Sequence, residues 1–174
     1  MRKSSFALQY FKHPRQMGTP IQSSSLLVKA VIEEIIGKNI IELGAGKGPI
    51  TRGILKIIPP DGKLTCLEIE KEFCEELRRY NDSRLRVINE SAEELRNYLN
   101  GNDCIISGLP LTSLPHNIRS RILESVKDYR FIQYKYFPSR RLLEDYFSEI
   151  KVKRVLLNIP PAVVYVCHNN PKVL

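Results

Sequence analysis

Glu42, Gly44, Gly46 and Gly48 lie within the stretch "IIELGAGKGPITRG" at 40–53, and a further acid, Glu68, follows 20 residues after Gly48. Alternating glycines after an apolar run let the backbone bend sharply and let a ligand lie directly against it, with the start of a following helix close by. A carboxylate at about that separation, at the end of the next strand, can accept hydrogen bonds from two ribose hydroxyls. The chemistry suggested is the cradling of a nucleotide-like cofactor, but the glycines alone suit a structural turn equally well. The stretch is not a dinucleotide G-x-G-x-x-G, because it opens with Glu42 and has Pro49 near the third glycine's place. Neither is it a P-loop, since no Gly-Lys-Ser/Thr ends the turn. Glu68 and Glu70 also have a plainer reading, as the charged start of an exposed helix.

These residues need strands and helices to position them. Apolar runs at Asn39–Leu43, Lys63–Ile69, Leu85–Asn89, Asp103–Ser107 and Arg130–Tyr136 read as strands. Helix-period segments separate them at Ile50–Ile57, Lys71–Asn81, Ala92–Leu99 and Asn117–Tyr129, and the alternation predicts a mostly parallel sheet covered by helices. Past residue 137, a helix over about Arg140–Glu149 leads into two strand-like runs joined across Asn158–Pro161, so the sheet should end in an antiparallel pair. Upstream, a serine among Ser23–Ser25 is placed to cap a helix through Ile36, closed by Gly37. The organisation expected is a basic arm at 1–22 and one α/β domain at 23–174.

The composition, 43% hydrophobic and 26% charged over 174 residues, is ordinary for a globular domain. Cys66, Cys74, Cys104 and Cys167 are scattered among apolar neighbours without ligand-like spacing, which predicts reduced core thiols and no metal site. Neither a membrane span nor a signal peptide is legible, so the expected location is the cytoplasm, either free or peripheral at the inner membrane face. The net charge is +8, and residues 1–32 hold five basic residues and no acid. Such an arm suits an anionic partner, either a phospholipid surface or a nucleic-acid backbone. In "RKSSFALQYFKH" a helical wheel gathers Phe6, Ala7, Tyr10 and Phe11 on one side, which suits a short interfacial helix or a helix packed over the domain's own cleft.

Taken together, "IIELGAGKG", Glu68 and the strand-end "SGLP" at 107–110 resemble the class I methyltransferases that use S-adenosylmethionine, over most of 38–169. The resemblance implies a Rossmann-like, seven-stranded, mostly parallel sheet with helices on both faces and an antiparallel last strand pair. It also implies that Glu42, Gly44, Ala45, Gly46 and Gly48 hold the methionine part of the cofactor. Glu68 and its neighbour Ile69 would hold the ribose, Ser91 and Ala92 would border the adenine, and Ser107 would close the site. An Asp is usual at the position of Ser91, whose hydroxyl can still bond the adenine edge.

Two subfamilies share these features. The rRNA adenine dimethyltransferases place Asn before Leu-Pro and an aromatic residue after it, to grip and stack a flipped base. Gly108 and Leu111 offer neither here. The chain is more similar to the small phospholipid N-methyltransferases that act on phosphatidylethanolamine, through "YFKHPRQMGTPIQSSSLL" at 10–27, "SGLPLTSLP" at 107–115 and "NIPPAVVY" at 158–165. The resemblance makes a phospholipid amine the expected acceptor and an RNA adenine the alternative. A binding module that kept the fold without catalysis stands as a reading of another class. For the amine, the backbone at Ser107, Gly108 and Leu109 is the expected orienting group, with Tyr10, Tyr134 and Tyr136 as aromatic faces for a methylated ammonium. His13 and His116 are candidate proton acceptors, and Arg119, Arg121, Arg140 and Arg141 are candidate phosphate ligands or a solvated surface.

Overall fold

The computed structural model describes residues 24–136 and 139–169. The arm at 1–22, with Tyr10 and His13, lies outside them. The chain opens with α1 (Ser25–Ile32), whose first amides are met by Ser24: its Oγ accepts from Leu27 N at 3.3 Å. Then come β1 (Asn39–Leu43), α2 (Pro49–Ile57), β2 (Lys63–Leu67), α3 (Lys71–Arg78) and β3 (Leu85–Ile88). A 3-10 helix (Ala92–Tyr98), β4 (Cys104–Ser107), a 3-10 turn (Leu111–Ser113), α4 (His116–Val126) and β5 (Arg130–Lys135) follow. The last elements are α5 (Arg141–Glu144), β6 (Glu149–Val155) and β7 (Ala162–His168).

The seven strands form one sheet in the order β3-β2-β1-β4-β5-β7-β6. β1 to β5 run parallel, whereas β7 pairs antiparallel with both β5 and β6, as the change of pattern after residue 137 predicts. The chain winds outward from β1 through β2 to β3, then restarts on the other side of β1 with β4. Leu43 is in register with both Leu67 and Ser107, so three strand ends stop at one level. That reversal of strand order opens a crevice beyond the carboxyl ends of β1 and β4.

Successive residues of the central strands feed two cores. Ile40, Ile54, Val31 and Ile132 pack on one face with α1 and α2; Ile41, Leu123, Leu143 and Phe131 pack on the other with α4 and α5. Phe131 stacks on Phe147 with centroids 5.7 Å apart. All four cysteines are buried free thiols. Among the described residues, no helix is long and apolar enough to cross a membrane.

Three expected helices are corrected. The segment from Ala92 is a 3-10 helix, with Glu94 N donating to Ser91 O, three residues back. The helix expected over Arg140–Glu149 stops at Glu144, because Phe147 turns inward to Phe131 and Glu149 already begins β6. The first helix ends at Ile32 rather than Ile36. Gly37 belongs to the turn into β1, where the Asp103 carboxylate accepts from Lys38 N at 2.8 Å and Asn39 N at 2.9 Å.

Candidate active site

The loop after β1 is held by its backbone. Gly44 N donates to Leu67 O at 2.9 Å, and Gly44 has φ +70°, where a Cβ would also press to 2.6 Å from Leu109 Cδ2. Gly48 precedes α2 and Pro49 starts it, the first-turn position that needs no amide hydrogen. Between them, a Cβ at Gly46 would meet nothing within 4 Å, so this part of the loop faces open space. Ala45 turns its side chain into the core, leaving only its backbone to the loop.

Glu42, on β1, is fully buried. Its Oε2 accepts from Thr51 Oγ1 at 2.6 Å and from the Cys66 thiol at 3.5 Å, while Oε1 has no hydrogen-bond partner among the described residues. Burial pushes its carboxyl up to about 7, against the opposing pull of the Thr51 hydroxyl. Glu68 is 4% exposed. Its Oε2 accepts from Gly46 N at 2.8 Å and Oε1 from Glu70 N at 2.9 Å, so this acid ties the glycine loop to the end of β2. Burial raises its carboxyl, and these amides draw it back down. Each oxygen retains acceptor capacity, because a carboxylate oxygen carries two lone pairs.

Glu68 lines a cleft together with Gly44, Ile69, Ser91, Ala92 and Leu109. Residues expected from four separate segments are therefore brought together. Ser91 also caps the 3-10 helix: its Oγ accepts from Glu93 N at 3.3 Å. The cleft's apolar wall includes Leu114, Ile118 and Ile122, from α4 and the turn before it.

At the end of β4, Ser107 is fully buried and its Oγ accepts from Leu109 N at 3.2 Å. Leu109 O accepts from Leu111 N at 2.8 Å and from Gln133 Nε2 at 3.0 Å, which uses both its lone pairs. The expected orienting carbonyls therefore reduce to those of Ser107 and Gly108. A Cβ built on Gly108 would collide with Tyr134 Oη and lie 3.3 Å from Gly44 O, so the Tyr134 hydroxyl fills the space that a side chain at 108 would take. Burial, and then the nearby Glu42 carboxylate, push the Tyr134 phenol well up, which keeps it protonated. Gln133 was missed in the sequence, and Tyr134 was read only as an aromatic face. The remaining candidates lie elsewhere: His116 is exposed at the start of α4, Arg121 pairs with Glu93 and Arg140 with Glu144.

No family model matches the chain. It is 28% identical to an ornithine lipid N-methyltransferase of Singulisphaera acidiphila, over 93% of each chain. Among solved structures, a precorrin-6y C5,15-methyltransferase from Geobacter metallireducens superposes with TM-score 0.69 at 12% identity, covering 88% of this chain and 92% of that one. An S-adenosylmethionine-dependent methyltransferase from Aquifex aeolicus gives 0.62 at 14% identity, over 87% and 94%. The chain has the class I methyltransferase fold. A third neighbour, a toxoflavin-precursor N1-methyltransferase of Burkholderia thailandensis solved with S-adenosylhomocysteine, gives 0.66 at 14% identity over 94% and 85%. The cleft of this chain lies where the strand order reverses, between the glycine loop and the Gly108 strand end.

Proposed function

We propose that the chain transfers a methyl group from S-adenosylmethionine to the amine of a phospholipid headgroup, with phosphatidylethanolamine as the first candidate, at an anionic membrane surface. The observation that carries the acceptor class is the similarity to a lipid N-methyltransferase along 93% of both chains. An ornithine lipid, whose side chain also ends in a primary amine, is the second candidate on that ground.

The residues present fit the cofactor. The unpartnered Oε1 of Glu42 suits a cationic amino group, the open face at Gly46 leaves room for a backbone-hugging ligand, and Glu68 keeps lone pairs for ribose hydroxyls. Ile69, Ser91 and Ala92 border the same cleft, and Leu114, Ile118 and Ile122 give it an apolar wall for a purine ring. The bound cofactor supplies a methyl group on a positively charged sulfur.

The chain's own contribution is positioning and the exclusion of water. An attacking amine has to be neutral, whereas a primary ammonium loses its proton only near the lysine range, about 10. In this reading the ammonium releases one proton to solvent water before the cleft closes on it, and the Gly108 carbonyl and the Tyr134 phenol oxygen accept hydrogen bonds from the neutral amine and leave its lone pair aimed at the methyl. Tyr10, in the arm, is the proposed aromatic face for the methylated product. Leu111, buried and aliphatic, gives no stacking surface for a flipped adenine, which disfavours RNA.

The test supplies methyl-labelled S-adenosylmethionine with phosphatidylethanolamine vesicles, ornithine-lipid vesicles and rRNA in parallel. Label in a lipid extract supports the proposal; label confined to RNA, or found in no acceptor, refutes it.

A further inference from the structure

We propose that the tip of the β6–β7 hairpin is a membrane-inserting wedge that seats the methyltransferase with its cleft facing the lipid headgroups. The inference rests on the lipid-acceptor reading and assigns the contact to particular side chains. Leu156, Leu157 and Ile159 are 70%, 81% and 92% exposed, three large aliphatic residues within four positions. Scattered apolar residues are normal on a surface, but such a cluster at a hairpin tip marks an interaction site.

Its place in the fold selects the partner. β7 runs antiparallel to β5, with Val163 opposite Lys135, so residues 156–161 project beyond the carboxyl end of β5. That is the rim carrying the glycine loop and Gly108. The tip is also shaped from within. Asn158 is 1% exposed, its Oδ1 accepts from Ser24 Oγ, and its Nδ2 donates to Pro160 O. Burying the amide in this way turns the flanking aliphatic side chains outward. Behind them, a groove lined by Leu26, Lys29, Lys153 and Arg154 leads down β6. Cations here exceed acids: Lys29, Lys153 and Arg154 line the groove, with Glu33 as the one acid among its lining residues. An apolar tip above a basic collar matches an anionic bilayer, with acyl chains meeting the aliphatic residues and phosphates the cations.

The chain contains no Trp, so Leu157→Trp creates a single reporter. With vesicles of phosphatidylglycerol and phosphatidylcholine, which carry no amine acceptor, its emission should shift to the blue and be quenched by brominated acyl chains. The variant carrying Leu156→Ser, Leu157→Ser and Ile159→Ser should lose about tenfold or more in vesicle partitioning. It should keep the wild-type melting temperature, since these side chains are exposed, and should keep transfer to a short-chain monomeric lipid. An unshifted Trp on vesicles, or unchanged partitioning of the triple variant, overturns the wedge. So does a Trp buried only by self-association, seen as a dimer in light scattering that forms without lipid. Because the vesicles contain no acceptor, failure of the wedge is read separately from failure of lipid methylation, which the monomeric lipid reports.

Discussion

At the scale of single residues, the decisive group is Glu42, whose folded-state cost points to a ligand. Between about pH 4.5 and 7 the unfolded chain has released this proton while the folded chain keeps it, so folding stability falls as pH rises through that window. Glu42→Gln removes this dependence and retains an acceptor for Thr51. Thermal unfolding should show the variant as stable as wild type near pH 4, and about 3 kcal/mol more stable near pH 8. Calorimetry should show S-adenosylmethionine binding weakened by about tenfold or more, because a neutral amide cannot offset a buried ammonium. Tyr134 is the second test. Tyr134→Phe keeps the ring and should lower kcat by about tenfold or more with little change in cofactor affinity. Gly108→Asn should displace the hydroxyl and act in the same direction. The Glu42, glycine-loop and Glu68 spacing was legible in the sequence because only one helix and one strand, α2 and β2, lie between the loop and Glu68. Tyr134 was not placed beside Gly108, since that approach comes from β5 lying next to β4, a tertiary pairing with no local signature.

Among the elements, the strands and the helices after the glycine loop and after Glu68 were readable, whereas the segments from Ala92 and from Arg140 were not. A strand buried on both faces reads as a bare apolar run, and the expected limits of β1 coincide with the observed Asn39–Leu43. The segment Leu142, Leu143, Tyr146, Phe147 keeps helical spacing, yet its second half breaks to stack Phe147 on Phe131 and to let Ser148 N donate to Asn169 Oδ1 at 2.7 Å. Tertiary packing overrides helix propensity over so few residues. The β6–β7 connection carries the element-scale prediction. Asn158→Ala leaves Ser24 Oγ and Pro160 O without their buried partner and should cost about 1–3 kcal/mol in denaturant unfolding. The same change should broaden the mobility of residues 156–161 in hydrogen exchange while leaving the β1–β4 core protected. Equal stability of the variant would mean that the amide does not organise this hairpin.

For the whole molecule, the alternation of apolar runs and helical segments, with the late antiparallel pair, predicted the sheet that the structure contains. Which way the chain turns after β3 is not written in any one segment, and that turn creates the crevice. The molecule's charge predicts its behaviour at surfaces. With net charge +8, association with anionic vesicles should weaken steeply as salt rises from about 0.05 to 0.5 M, as the Debye length contracts to a few ångströms. Partitioning that is independent of salt would instead assign binding to apolar insertion alone. Methyl transfer to a lipid amine is the proposed reaction. Its most direct test is mass spectrometry of phosphatidylethanolamine and ornithine lipid after incubation with the protein and S-adenosylmethionine deuterated at the methyl group. Deuterated methyl groups on the headgroup nitrogen are the expected result, abolished by Glu68→Ala. Lipids that remain unlabelled while the protein binds S-adenosylmethionine would contradict it.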